Sequence, residues 1–196
     1  HLMPPFMGQG MCAGIRDVSN LAWKISLCLK NKHDDKLLNT YQSERSSNVK
    51  EYIETTMRMG EFVNAVGKSP ITNNISADSK GRKSMKSIKP RLGRGLGDLK
   101  DKFRGKIFPQ YIIKNNKKLD EKFSLKPALV ISDEIKKNIS SKIKLIRSKN
   151  IKNLELFFKE HNCKAVIVRP DRFILSSCKS VKDFNSYLSK NLSYLV

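Results

Sequence analysis

The sequence predicts an α+β or α/β chain in which two long helices precede a small sheet covered by helices. Apolar residues recur at three- and four-residue spacing through the first sixty or so positions, while short β-branched runs alternate with helical stretches after about residue 100. Composition supplies the third observation. With 196 residues, 39% of them hydrophobic, and nine Phe, five Tyr and one Trp, the chain can bury a core despite a net charge of +21.

The opening HLMPPFMGQG is a Pro- and Gly-rich loop that runs directly into a helical pattern. Met11, Ile15, Val18, Ala22, Ile25 and Leu29, widened by Leu21 and Cys28, predict one amphipathic helix over 11–30. A polar break follows at Asn31 to Asp35. Leu37, Leu38, Tyr41, Val49, Tyr52, Ile53, Met57 and Phe62 then mark a second helical run, with an expected interruption near Ser46, Ser47 and Asn48. Residues 67–100, with Pro70, Pro90 and five glycines, read as a linker or surface excursion. Beyond it, 107–113 (IFPQYII) and 127–132 (PALVIS) read as strands, and 151–161 as a helix through Ile151, Leu154, Phe157 and Phe158. AVIV at 165–168 is a buried-type strand, RPDR at 169–172 a turn and 173–176 a returning strand. A closing helix carries Val181, Phe184, Leu188 and Leu192. The expected organisation is thus 1–66, a connector at 67–100, and a small α/β unit at 101–196.

Charge is distributed unevenly. Residues 1–67 carry 8 basic and 7 acidic side chains, leaving 31 basic and 11 acidic in the remainder. The excess lysines are spread through almost every later element, which fits a solvated surface better than a nucleic-acid groove with clustered Arg and exposed aromatics. A polyanion-binding arm built from Lys80, Arg82, Lys83, Lys86, Lys89, Arg91 and Arg94 is the alternative. Cys12, Cys28, Cys163 and Cys178 form no C-x-x-C pair and have no His at metal spacing, so free thiols and no metal site are expected. No apolar run is long enough for a membrane span and no secretory signal pattern opens the chain, so a cytoplasmic protein without membrane association is expected.

The segment from Pro4 to Lys24, PPFMGQGMCAGIRDVSNLAWK, resembles the second flavin-binding motif of the FAD-dependent aromatic-ring monooxygenases, in the branch of 3-(3-hydroxyphenyl)propionate and phenol hydroxylases. Tyr41-Gln-Ser-Glu44-Arg45 is similar to the family's helical Y-x-x-E-R. Val168-Arg-Pro-Asp-Arg172-Phe is similar to a hairpin in its thioredoxin-like C-terminal domain. The family's G-x-G-x-x-G fingerprint and the Gly-Asp pair that precedes this motif are absent from the sequence. The resemblance therefore implies the helical C-terminal end of a flavin-binding domain followed by a thioredoxin-like domain without C-x-x-C. It also implies a partner portion supplying the missing motifs, in the same or a separate chain, and is compatible with a homodimer.

A glycine-flanked loop entering a helix gathers unpaired backbone N–H groups at the positive end of the helix dipole. On its own this loop could equally do no more than start a helix. By resemblance, Pro4, Pro5, Gly8, Gln9, Gly10, Met11 and Cys12 contact FAD, with N–H groups around Gly10 to Cys12 facing the N1 and O2 edge of the flavin. The Pro5 carbonyl takes the family position near the reacting C4a side. The implied reaction hydroxylates a phenolic aromatic acid using FAD, NAD(P)H and O2, and the chain by itself is expected not to hold FAD. Asp17 and Arg45 are expected to form a partly buried ion pair, Arg169 and Asp171 to serve the turn, and His33 and His161 to lie at the surface.

Overall fold

A computed structural model describes residues 1–5, 8–30, 34–64, 75–77, 83–85, 88–123, 125–136 and 143–192. Helix α1 (Gly10–Leu29) and helix α2 (Lys36–Asn64) come first and pack on each other. A short antiparallel hairpin, β1 (Ile75–Ala77) and β2 (Lys83–Met85), follows. The main sheet contains β3 (Ala128–Ile131), β4 (Lys144–Arg147), β5 (Ala165–Val168) and β6 (Ile174–Cys178), with helix α3 (Lys152–Glu160) between β4 and β5 and helix α4 (Phe184–Leu192) after β6. Its strand order is β4-β3-β5-β6, with β3 and β4 parallel and the β3–β5 and β5–β6 pairs antiparallel.

The central strands ALVI and AVIV are buried at every position, so each side chain must pack on one face or the other. Alternation sorts them. Ala128, Val130, Val166 and Val168 meet the aromatic layer of Phe103, Phe108, Phe157 and Phe158. Leu129, Ile131, Ala165 and Ile167 meet Phe184 and Tyr187 of α4 together with Trp23 of α1 and Leu37 of α2. The first two helices therefore complete one face of the later sheet. Each fully buried branched side chain contributes about 1.5–3 kcal/mol, enough for the two strands to specify the register.

Three expectations change. Helix α2 continues through Ser46, Ser47 and Asn48, and the side chains of Ser46 and Asn48 find partners beyond their own backbone. Gln42 Nε2 donates to Ser46 Oγ at 2.8 Å, and Asn48 Nδ2 donates to the Pro90 carbonyl at 2.7 Å. The segment 107–113 makes only isolated bridges, Ile107 with Phe173 and Ile112 with Lys118, since Pro109 lacks the N–H a ladder needs. β4 was not expected. Its Lys-Leu-Ile-Arg pattern is that of an edge strand, where charged ends stay wet.

Much of the expected connector lies outside the described residues, but 88–100 can be followed. Gly93 N donates to the Glu44 carbonyl on α2 at 2.9 Å, and the chain continues along β6, whose free edge it covers. Gly105 N donates to Ile174 O and Ile174 N to Lys106 O, both at 2.8 Å, while Asp101 accepts from the Ser177 N–H and hydroxyl. Gly97 sits at φ +86, and a Cβ there would lie 2.4 Å from the Leu175 carbonyl oxygen. Gly97→Ala is therefore expected to cost about 2–4 kcal/mol, combining left-handed backbone strain with a clash against fixed backbone. A urea titration read by circular dichroism measures the loss, and an unchanged midpoint would contradict it.

Candidate functional site

The glycine loop stands as a turn closed by Gly8 N donating to the Pro5 carbonyl at 3.0 Å, with Gly8 at φ +60. That conformation suits glycine. Gln9 occupies the N-cap of α1 without a side-chain capping bond, and the first turn holds no acidic residue. The Ala13 N–H already reaches back to the Gln9 carbonyl at 2.8 Å, leaving the N–H groups of Gly10, Met11 and Cys12 without intrahelical acceptors. A Cβ added at Gly8, Gly10 or Gly14 would meet nothing within 4 Å. Pro4, Gln9 and Cys12 are half-buried, whereas Pro5, Gly8, Gly10 and Met11 are exposed. An uncapped, acid-free and uncrowded helix N-terminus suits an anion or a developing negative charge.

One turn further along α1 is a buried ionic network that the sequence reading did not assemble. Asp17, Asn20 and Lys24 share one helix face and turn inward. Arg45 Nε donates to Asp17 Oδ1 at 2.7 Å, the ion pair expected from the sequence, and His1 Nδ1 lies 2.9 Å from Asp17 Oδ2. Lys24 Nζ instead donates to Glu44 Oε2 at 2.9 Å and to Asn20 Oδ1 at 2.7 Å. Both oxygens of Glu44 receive Arg169, Nη1 to Oε1 and Nη2 to Oε2, each at 2.8 Å. Arg169 also grips Asp171 with Nε to Oδ1 at 3.0 Å and Nη2 to Oδ2 at 2.7 Å. Asn20 Nδ2 bridges Glu44 and Asp171 at 3.0 Å each, and the Leu96 N–H donates to Glu44 Oε1 at 3.0 Å.

Arg169 and Asp171 thus do more than shape the turn. Through them the β5–β6 hairpin is fastened to both N-terminal helices, with the Arg169 guanidinium 5.1 Å from the centre of the Trp23 ring. Burial alone would raise the Glu44 carboxyl, but Arg169 and then Lys24 outweigh it and hold it at about 2. Burial pulls the Lys24 ammonium down to about 8 against the attraction of Glu44, and the Arg169 charge assists. The available signal was the three-, four- and seven-residue spacing of Asp17, Asn20 and Lys24, a polar stripe as periodic as the apolar one.

Other candidates have simpler places. His161 packs on Phe157 and Phe103, with ring centroids 4.7 and 5.1 Å away, while His33 lies outside the described residues. All four cysteines are free thiols, and no metal-holding cluster occurs among the described residues. A cleft of about 530 Å³ between β6 and α4 includes Cys178, whose thiol is buried, donates to the Ser180 carbonyl and is pushed up by burial, which makes it a poor nucleophile. Within the basic arm, Lys80, Arg82 and Lys86 lie outside the described residues, and the Arg91 guanidinium donates to the Lys102 carbonyl. No described helix is long and apolar enough to cross a membrane.

A helix pair with a glycine loop at its entrance, joined to a mixed α/β sheet, is an arrangement shared with flavin-dependent monooxygenases of known structure. Residues 1–56 match the FAD binding domain family, and the chain is similar to FAD-dependent aromatic hydroxylases. It is 37% identical over 117 residues to a probable NADH-specific resorcinol 4-hydroxylase of Rhodococcus jostii, covering 58% of this chain and 21% of that protein. It is 45% identical over 63 residues to the 3-(3-hydroxy-phenyl)propionate/3-hydroxycinnamic acid hydroxylase of Escherichia coli, covering 32% of this chain and 11% of the enzyme. The fold is shared with the flavin-dependent monooxygenase PieE, solved with FAD and substrate, at a TM-score of 0.60 and 12% identity over 99% of this chain and 46% of PieE. Aklavinone-11 hydroxylase with FAD and aklavinone aligns at a TM-score of 0.57 and 15% identity, over 99% of this chain and 42% of that one. The chain spans about a fifth or less of these curated relatives.

Proposed function

We propose that this chain supplies the flavin-ring loop and the C-terminal unit of an FAD-dependent hydroxylase acting on a phenolic aromatic acid with NAD(P)H and O2. The observation that carries the reading is the N-terminus of α1: uncapped, free of acidic residues and open above Gly8 and Gly10. Pro4, Pro5, Gly8 and Gln9 shape the loop, and the N–H groups of Gly10, Met11 and Cys12 face the pyrimidine edge of the flavin. The helix end contributes about 0.3–2 kcal/mol toward negative charge there. The Pro5 carbonyl borders the reacting side of the ring. FAD, when bound, supplies the redox chemistry that activates oxygen; this chain orients the ring and helps exclude water.

The remaining FAD contacts belong to a dinucleotide-binding portion carried upstream or on a second chain. Residues 101–196 are read as thioredoxin-like. In support, the four sheet strands follow a 2-1-3-4 order within the unit, and the third runs antiparallel to the others. With no C-x-x-C, this unit has a structural role, and Arg169 and Asp171 are its anchor to α1 and α2.

Gly10→Asp tests the flavin contact. An aspartate in the first helical turn leaves α1 as stable or more so, yet sets a carboxylate against the electron-rich ring edge. Together with its dinucleotide-binding portion, the variant is expected to bind FAD at least tenfold more weakly, measured by flavin fluorescence quenching, with an unchanged melting temperature. The wild-type chain alone is expected to elute colourless from gel filtration after mixing with FAD. Unchanged FAD affinity in the variant, or tightly held flavin in the isolated chain, would refute this assignment.

A further inference from the structure

Helix α1 has its amphipathicity inverted. The face turned into the protein carries Asp17, Asn20 and Lys24, all buried. The opposite face carries Met11, Ile15, Val18, Ile25 and Leu29, which are 75, 57, 66, 39 and 79% exposed. At 100° per residue these five side chains form one straight row along the 20-residue helix. A surface helix in a finished domain turns such a row inward, because each apolar side chain left in water forgoes about 1.5–3 kcal/mol. A continuous exposed row marks a contact surface, unlike scattered single residues.

We propose that this row is the docking face for the dinucleotide-binding portion of the same flavin domain, whether that portion lies upstream or on a separate chain. The inference rests on the functional reading above and extends it to a partner surface. Three observations select this occupant. The row begins at Met11, inside the proposed flavin loop, so a body seated on it also borders the ring. Residues 1–56 match the FAD binding domain family and hold the whole row. Finally, more than half of PieE and of aklavinone-11 hydroxylase lies outside the part each shares with this chain, so proteins of this fold carry substantial further mass. The inward polar face is already engaged by α2 and the 169–171 turn, which leaves the outward row as the face available for that mass.

Two variants test the docking face. Val18→Cys is prepared in the chain alone and in a preparation co-expressed with its dinucleotide-binding portion, then labelled with a maleimide and followed by peptide mass spectrometry. Labelling is expected at the rate of a free exposed thiol in the first and at least tenfold slower in the second. Equal rates would overturn the proposal. Ile15→Glu/Val18→Glu in the chain alone is expected to leave the melting temperature unchanged. A marked fall would place the row in the chain's own core and overturn the proposal. A concentration-dependent dimer of the wild-type chain that this variant dissociates would assign the row to a second copy, also overturning it. Protection of the introduced thiol without flavin retention would leave the docking face standing and refute the flavin reading. Flavin retention without protection would do the reverse.

Discussion

Replacing Glu44 with Gln is expected to lower the unfolding free energy by about 3–5 kcal/mol, because it removes a charged partner from a buried network, leaving Lys24 without its carboxylate and Arg169 with Asp171 alone. The shape is nearly conserved, so packing contributes little to the loss. Glu44 accepts from Lys24, Asn20, the Leu96 N–H and both terminal nitrogens of Arg169. A Gln amide offers one acceptor oxygen where two stood and turns an N–H2 toward cations already rich in donors. Chemical denaturation followed by circular dichroism gives the magnitude. Trp23, the single tryptophan, lies against Arg169 and provides a fluorescence probe of the same site.

The pH profile provides an independent check on that result. Glu44 is held at about 2 in the folded protein against an ordinary value of 4.5. Its contribution is therefore complete above pH 4.5 and is lost as the pH falls toward 2, an amount on the order of 3 kcal/mol. The Glu44→Gln profile should lack that acid limb. Lys24 works with the opposite sign. Burial lowers it from 10.5 to about 8, so keeping it charged costs stability below about pH 8, and that cost is relieved as the pH rises from 8 toward 10.5. Lys24→Met should remove this alkaline gain. An acid limb of equal size in wild type and Glu44→Gln would show that other carboxylates carry it.

Truncating Phe157 to Ala is expected to cost about 3–5 kcal/mol by a different route, the loss of buried aromatic surface together with the cavity left behind. Phe157 projects from α3 into the layer beneath β3 and β5. Its ring centre lies 5.5 Å from that of Phe108, 5.7 Å from Phe158 and 4.7 Å from His161, mostly edge to face. This loss should persist as the pH falls from 4.5 toward 2, where the Glu44 contribution disappears, which separates the two effects. Because Trp23 and Leu37 pack on the other face of the same sheet, unfolding of Phe157→Ala should be seen together by Trp23 fluorescence and by circular dichroism. Separate transitions would mean that the helix pair and the sheet unfold as independent units.

Much of this architecture was legible in the sequence because it depends on local pattern. The spacing of Met11, Ile15, Val18, Ile25 and Leu29 marks α1, the runs ALVI and AVIV mark the central strands, and Arg169 to Arg172 marks the turn between β5 and β6. The glycine loop was legible for the same reason, since Gly8 and Gly10 directly precede a helical period. Misreadings came where a distant partner overrides local preference or where a proline inside the segment overrides its apolar pattern. Ser46 to Asn48 look like a helix break until Pro90 arrives to take the Asn48 amide, and 107–113 looks like a strand until Pro109 leaves its ladder incomplete.

Sequence by itself determined that α1 has an apolar and a polar face, that a glycine-flanked loop runs directly into it, and that the positive charge lies mostly outside this segment. Only the tertiary structure decided which face of α1 points inward. Periodicity reports that two faces differ, but the direction of burial depends on what each face meets. Glu44 lies 125 residues from Arg169 in the chain, and the bidentate pair they form makes the polar face of α1 the buried one. Pairing across such a separation has no local signature: its energy exists only once the hairpin and the two helices have been brought together.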